Sequence, residues 1–415
     1  MFMKKSNRAL VFIFITLLLD VMGIGLIIPI LPRLVESFVN YDLSTASHYL
    51  GILISVYAFM QFIFAPVLGS LSDQYGRRPV ILLSLLGYGL DYLLLAFAPT
   101  LGWLFLGRVI AGITGGSFTT ASAYIADVSP PEKRAQNFGL IGAAFGLGFI
   151  IGPALGGFLG AIDLRLPFLV AAGLTLLNLL YGFFVLPESL TPDNRRQFSW
   201  KRANPIAALR NLGRYPVILG LTGSLVFLNL AGQVHPSTWV LFTTKQFGWT
   251  EFEVGLSLAF VGLTVAIVQG GLTRVLIPRL GDRLSVMLGL ILSAVGFLLF
   301  GLANQGWMMY AIMVPFALGG IAGPAIQGLI SRQVGPSEQG ELQGALTSLT
   351  SITAIVGPLL ATTLFAYFND PKAPVHLPGA AFFMGTMLTL AGLFVAMRSF
   401  PRKNVETEAA LEANG

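Results

Sequence analysis

Cysteine is absent from this chain, and its three histidines, His48, His235 and His376, are scattered. Disulfides and thiolate metal sites are therefore excluded, and spacing alone assembles no metal cluster, so neither a metal nor a cofactor is expected. Charged side chains make up only 11% of the residues, far below what keeps a soluble domain in water. A G-x-x-x-x-G-K-[ST] phosphate loop is missing, which leaves ATP-driven transport unsupported, and no enzyme is expected. Strict alternation of apolar and polar residues is missing too. Ile81 to Leu86 and Leu93 to Ala98 are apolar on every side, unlike the roughly ten-residue strands of a transmembrane barrel.

What is present belongs in lipid. Apolar residues make up 55% of the chain and the mean hydropathy is +0.77. Runs long enough to cross ~30 Å of hydrocarbon as helices recur along nearly the whole length. Twelve spans are expected, near 9–31, 49–71, 79–98, 101–125, 137–160, 166–186, 216–241, 252–277, 284–302, 306–330, 342–367 and 378–398. The first is expected to stay as a helix, since no small-x-small cleavage site follows before Pro29 and Pro32. The net charge of +6 reads as orientation and not as a nucleic-acid partner. With the N-terminus in the cytoplasm, Arg108 lies within the membrane, and only Arg33, Arg165, Lys245 and Lys372 of the 25 Lys and Arg fall outside. The positive-inside rule then puts both termini in the cytoplasm.

The longest polar stretch, Pro187 to Arg214, divides the chain. We expect an N-terminal six-helix bundle at 1–186, a cytoplasmic linker at 187–214, a C-terminal six-helix bundle at 215–400 and a cytoplasmic tail at 401–415. Trp200 to Leu212 reads either as a short amphipathic helix on anionic lipid or as a solvated loop. Across the linker, residue types repeat at a constant separation of 205. Gly76 falls on Gly281, Arg78 on Arg283, Pro131 on Pro336, Gly139 on Gly344, and Gly152-Pro153 on Gly357-Pro358. A duplication of this kind is the signature of transporters that expose a midplane site alternately to each face.

Between the second and third spans stands Gly69-Ser-Leu-Ser-Asp73-Gln-Tyr-Gly76-Arg77-Arg78-Pro79. Gly69 permits close helix contact, Gly76 permits a tight reversal, and Asp73 is expected near a helix N-terminus. Arg77 and Arg78 can pair with Asp73 and Asp127 as a latch that holds in one state and breaks in another, or simply anchor the loop in the cytoplasm. Pro278 stands where a second Asp73 would fall, so the second copy reads as decayed. The segment resembles the G-x-x-x-D-x-x-G-R-R loop of the major facilitator superfamily. The fifth span carries Gly148, Gly152, Pro153, Gly156 and Gly157 in an array that lets a neighbouring helix approach closely. Its G-x-x-x-G-P-x-x-G-G pattern resembles the antiporter motif of drug/proton exporters in that superfamily.

Ionisable groups inside a membrane default to function. At 1.5 Å per residue, Asp20 lies ~16 Å and Asp91 ~18 Å from the cytoplasmic ends of their spans, and Arg108 ~10 Å from an outer end. The proton machinery is expected there. Asp20 is read as the proton carrier, Arg108 as setting its carboxyl pKa, and Asp91 as holding the array or as forming a structural pair with Arg108. Asp20 to Pro29, Leu90-Asp91-Tyr92 and Gly107-Arg108, with Tyr57 to Gln61, Trp239 to Phe242 and Phe247-Gly-Trp249, resemble the tetracycline/proton antiporter group along essentially the entire chain. That resemblance implies importance for Asp20, Gln61, Asp73, Arg77, Asp91, Arg108 and Gln269. The group's second-half membrane histidine and aspartate fall near Val265 and on Ser293, so the likeness carries the fold further than it carries the substrate or the proton path.

Tyr57, Gln61, Asn229, Gln233, His235, Trp239, Gln269 and Gln327 are candidates for a substrate cavity, each alternatively an interhelical bond. A structural role is favoured for His235. The expected function is proton-coupled export of an amphipathic small molecule by a monomer in lipid; the alternative is an uptake symporter for a metabolite.

Overall fold

The computed structural model describes residues 2–200, 216–333 and 339–400. The far part of the stretch from Trp200 to Leu212 and the 401–415 tail lie outside the described residues. Every described element is helical: α1 Phe2–Ile27, α2 Leu31–Phe38, α3 Leu43–Tyr75, α4 Arg77–Ala96, α5 Leu101–Thr114, α6 Ser117–Val128, α7 Pro131–Ile162 and α8 Leu166–Val185 in the N-terminal half. A 3-10 turn at Pro192–Asn194 follows. The C-terminal half holds α9 Pro216–Gly232, α10 Val234–Phe247, α11 Glu251–Ile267, α12 Thr273–Leu280, α13 Asp282–Leu302, α14 Gly306–Gly319, α15 Ala322–Ser331, α16 Gln339–Asn369 and α17 Ala380–Ser399. A π-helical segment, Val268–Leu272, joins α11 to α12.

Eleven stretches are long and apolar enough to cross a membrane without a break, and α9 with α10 supply the twelfth crossing, interrupted at Gln233. The first span, expected to reach residue 31, ends at Ile27 and resumes as α2. Pro29 and Pro32 account for this, because neither offers an N–H to continue the helical ladder. The break recurs by duplication, since Gln233 lies 205 residues after Ile28. The fourth and tenth spans break in step as well, between α5 and α6 at Gly115-Gly116 and between α14 and α15 at Gly320-Ile321. Gly76 and Gly281 take φ of +105° and +76°, a conformation open to glycine, and there each second span reverses into the third.

The halves meet through α7 against α11 and α3 against α16. These contacts gather toward the face opposite the termini. Ser44 and Ser55 donate to Ala366 O and Ile355 O at 3.3 and 2.6 Å, and Gly51 lies against Thr362 and Pro358 O. On the other side of the pseudo-two-fold axis, Gly255 abuts Pro153 O and Gly262 abuts Phe149 O. Pro153 has no N–H for the Phe149 carbonyl four residues earlier, and the freed oxygen sits against a glycine of the partner half. Cβ atoms at Gly255 and Gly262 would overlap backbone, so this side of the seam closes only with hydrogen there.

Candidate functional site

Three cavities are stacked along α1 and α2. The inner one, on the side of the termini, encloses about 530 Å³ and is lined by Asp20, Tyr57, Gln61, Tyr88, Ser117, Phe118, Thr119 and Phe145 with Thr347, Ser348 and Ser351 of the other half. The middle one encloses about 210 Å³ and is lined by Tyr57, Tyr88, Asp91, Tyr92, Arg108, Gln233 and Ser237. The outer one encloses about 400 Å³ and includes Arg33, Glu36, Tyr41, Trp249 and Glu251. Ile24, Tyr57 and Tyr88 line both the inner and the middle cavity, so they form the wall between them.

The two membrane carboxylates stand on opposite sides of that wall. Asp20 accepts a 2.6 Å bond from Ser117 Oγ, and among the described residues no cation pairs with it. Ser117 is the first residue of α6, so the break at Gly115-Gly116 aims a hydroxyl at the carboxylate from a helix N-terminus. Asp91, fully buried, accepts from Arg108 Nη2 at 2.7 Å, while Asp91 Oδ1 and Arg108 Nε have no partner among the described residues. Arg108 also lies 5.9 Å from the Tyr57 ring centre. Arg108 thus serves Asp91, and the expected direct action on Asp20 is not what the structure shows. Gln61 donates to Tyr57 OH at 3.3 Å and Gly115 O at 3.4 Å, tying the wall to the break.

Of the other expected cavity residues, Gln233 lines the middle cavity, and Asn229 donates to Thr350 Oγ1 at 3.3 Å. His235 and Trp239 are packed away from all three cavities: their rings stack at 4.3 Å, Phe300 and Phe316 flank them, and the Trp239 N–H donates to Ser257. Gln269 and Gln327 are exposed and are not among the lining residues of these cavities. Val265 is partly exposed and Ser293 is packed under Gly319.

At the terminus face, Arg77 donates to Ser72 Oγ at 2.7 Å, Asp73 at 2.6 Å and Asp127 at 3.1 Å. Asp73 lies in the last turn of α3, at a C-terminal end and not near the expected N-terminus. Arg77 supplies the charge that offsets the unfavourable dipole there. The carboxylate at an N-terminus is Glu188, which accepts from Arg77 N at 2.8 Å and Arg78 N at 3.2 Å, capping α4. Among the described residues Arg78 makes no carboxylate pair with its side chain; it donates to Phe183 O at 2.7 Å and lies over the Phe183 ring. A Cβ added to Gly69 would stand 3.7 Å from the Thr119 methyl. All these partners belong to the N-terminal half and the start of the linker, so in this state the cluster fastens that half to itself. In the second copy, Arg332 pairs with Asp282. These positions lie 205 residues after Asp127 and Arg77, so that ion pair survives with its signs exchanged, while Pro278 still stands in the place of a second Asp73.

The α7 array serves two neighbours. Gly148, Gly152 and Gly156 lie against Val21, Met22 and Leu26 of α1, while Pro153 and Gly157 lie against Gly255 and Glu251 of α11. Ser117, Glu188, Tyr88, Tyr92, Arg33 and Glu251 were not singled out from the sequence. The 205-residue separation was a sufficient signal for Asp282 and Arg332.

The family model described as Major Facilitator Superfamily matches residues 13–283 and 227–415. The chain is 45% identical over 362 residues to the tetracycline resistance protein, class C, of Escherichia coli, covering 87% of this chain and 91% of that one. It is 37% identical over 409 residues to the class H protein of Pasteurella multocida, covering 97% and 100%. Among solved structures it superposes on the human organic anion transporter MFSD10 (TETRAN) with a TM-score of 0.69 at 25% identity, covering 94% and 99%. The nucleoside transporter NupG gives a TM-score of 0.76 at 14% identity, covering 96% and 100%, a likeness of fold alone.

Proposed function

The chain belongs to the major facilitator superfamily, and from that premise we propose that it exports amphipathic small molecules, tetracycline-type drugs among them, in exchange for protons carried by Asp20. One observation carries the assignment of the carrier. Asp20 lines the inner cavity without a cation partner among the described residues, on the terminus side of a seam that is packed shut. A carboxylate in such a place gains and loses a proton as its surroundings change, whereas Asp91 is held by Arg108.

The bundles at 1–186 and 215–400 rock about the contacts of α7 with α11 and α3 with α16, and the protein works as a monomer in lipid without a nucleic-acid partner. Both termini lie in the cytoplasm, a reading supported by the sorting of basic residues, so this conformation faces inward. The drug enters the inner cavity, whose volume lies within the ~300–1,000 Å³ of small-molecule sites and whose walls are mostly apolar. Tyr57, Gln61 and Phe118 meet it from one half and Thr347 and Ser351 from the other. Gln233, Asp91 and Arg108 wait beyond the tyrosine wall. The α7 array and the resistance proteins among the relatives favour this exchange over uptake of a metabolite with protons.

Proteoliposomes with an imposed pH gradient and a panel of tetracyclines test it. Drug addition is expected to evoke proton movement, and Asp20→Asn, which keeps an acceptor for Ser117, is expected to fold and to lose gradient-driven flux. Drug accumulating together with protons, or flux indifferent to pH and voltage, would overturn the proposal.

A further inference from the structure

The face opposite the termini carries a charged cluster used by neither the proton carrier nor the drug cavity. Glu251 opens α11 in the C-terminal half and is 8% exposed, and its carboxylate accepts from Arg33 of α2 in the N-terminal half. Glu36 follows Arg33 by three residues on α2, on the same helix face, and lines the same outer cavity. The charged groups that act on Glu36 are Arg33 on its own helix and Glu251 across the seam; Tyr41, from the turn before α3, also lines the cavity. Two carboxylates therefore line one cavity with a single guanidinium at a junction of the halves; Glu251 takes its ion pair, and among the described residues Glu36 has none. With both ionised, the closed seam encloses a surplus negative charge, which one proton cancels.

We propose that Arg33, Glu36 and Glu251 form a proton-binding site on the outer face, and that its occupancy holds this face closed. Burial pushes the Glu36 carboxyl above the ordinary carboxylate range; Arg33 partly opposes this and Glu251 adds to it. Opening the seam exposes the group to water and takes Glu251 away, so both raising causes weaken. The conformation with the higher pKa binds the proton more tightly, so falling pH moves the population toward outer closure and rising pH releases it. The Arg33 side chain is 58% exposed, which makes the ion pair alone a weak bolt and leaves the control to the proton on Glu36. In an exporter, a proton arriving from outside thereby shuts the outer face and turns the carrier inward. Only this direction of use rests on the exporter reading.

The chain has no cysteine, so spin labels on Thr100→Cys and Lys372→Cys, one at the outer end of each half, report the seam directly. The labelled full chain carries Asp20→Asn to silence the other site and is measured in lipid by pulsed electron paramagnetic resonance across a pH series. The ratio of short to long distances is expected to rise as pH falls, by up to about tenfold per pH unit, the slope of one proton. Glu36→Gln, neutral at every pH, is expected to stay at the short distance throughout, and Arg33→Gln to lower its share at every pH. A wild-type pH response persisting in Glu36→Gln, or a parent distance indifferent to pH, would overturn the site. Neither drug nor gradient is present, so failure here and failure of the flux assay are separate outcomes.

Discussion

Asp91 and Arg108 show how a charge pair inside a membrane constrains both of its members. Asp91 has no exposed surface and Arg108 has 13%, so removing one partner strands the other charge among apolar side chains. Losses of this kind run to ~3–5 kcal/mol. Asp91→Asn is expected to lower the thermal unfolding temperature in detergent, and Asp91→Asn with Arg108→Gln is expected to recover part of that loss. Equal losses in the single and double variants would show that the pair is not what holds this site. The three membrane charges were legible in the sequence because an ionisable residue within an apolar run is conspicuous in one dimension. Their pairing was not. Which carboxylate meets Arg108 depends on the rotation of α4 and α5, and Ser117 and Glu188 are ordinary residues until folding puts them beside a carboxylate or a helix end.

Helices are where local sequence speaks most plainly, and α7 is the clearest instance. Its glycines were legible as a surface for close approach, but a one-dimensional pattern does not say that Gly156 serves α1 while Gly157 serves α11. A Cβ on Gly157 would meet Glu251 O and Gly255 Cα, the latter at 2.9 Å, whereas one on Gly139 would have no described atom within 4 Å. Gly157→Ala is therefore expected to cost the outer-closed conformation ~1–3 kcal/mol, the range for overpacking, and to reduce export. Gly139→Ala is expected to transport as the parent does, so equal flux from the two variants would remove the seam from the explanation. Span boundaries were least legible at the polar ends. Averaged hydropathy places the second span at 49–71, while α3 runs from Leu43 to Tyr75 because Asp42 caps its start, accepting from Thr45 N at 3.1 Å. Glycine and proline breaks within spans have too little polarity to register in such an average.

Across the whole molecule, two bundles touch along a seam on one face and part around the inner cavity on the other. Alternation between faces requires that seam to open. A Cβ on Gly51 would stand 3.2 Å from Thr362 Cβ, near the ~3.5–4.5 Å span of a disulfide. Gly51→Cys with Thr362→Cys, in a chain with no other thiol, is expected to stop export when oxidised and to restore it on reduction. Undiminished export by the oxidised protein would rule out movement at this point. The sequence by itself determined that the chain lives in lipid, crosses it twelve times as helices and repeats itself, because these follow from apolar content, backbone hydrogen bonding and residue identity along the chain. Only the tertiary structure decided that Asp20 and Asp91 occupy separate chambers and that Arg33 reaches Glu251. Such choices are made by how helices rotate and meet across the two halves, a relation between residues far apart in the chain that no local pattern encodes.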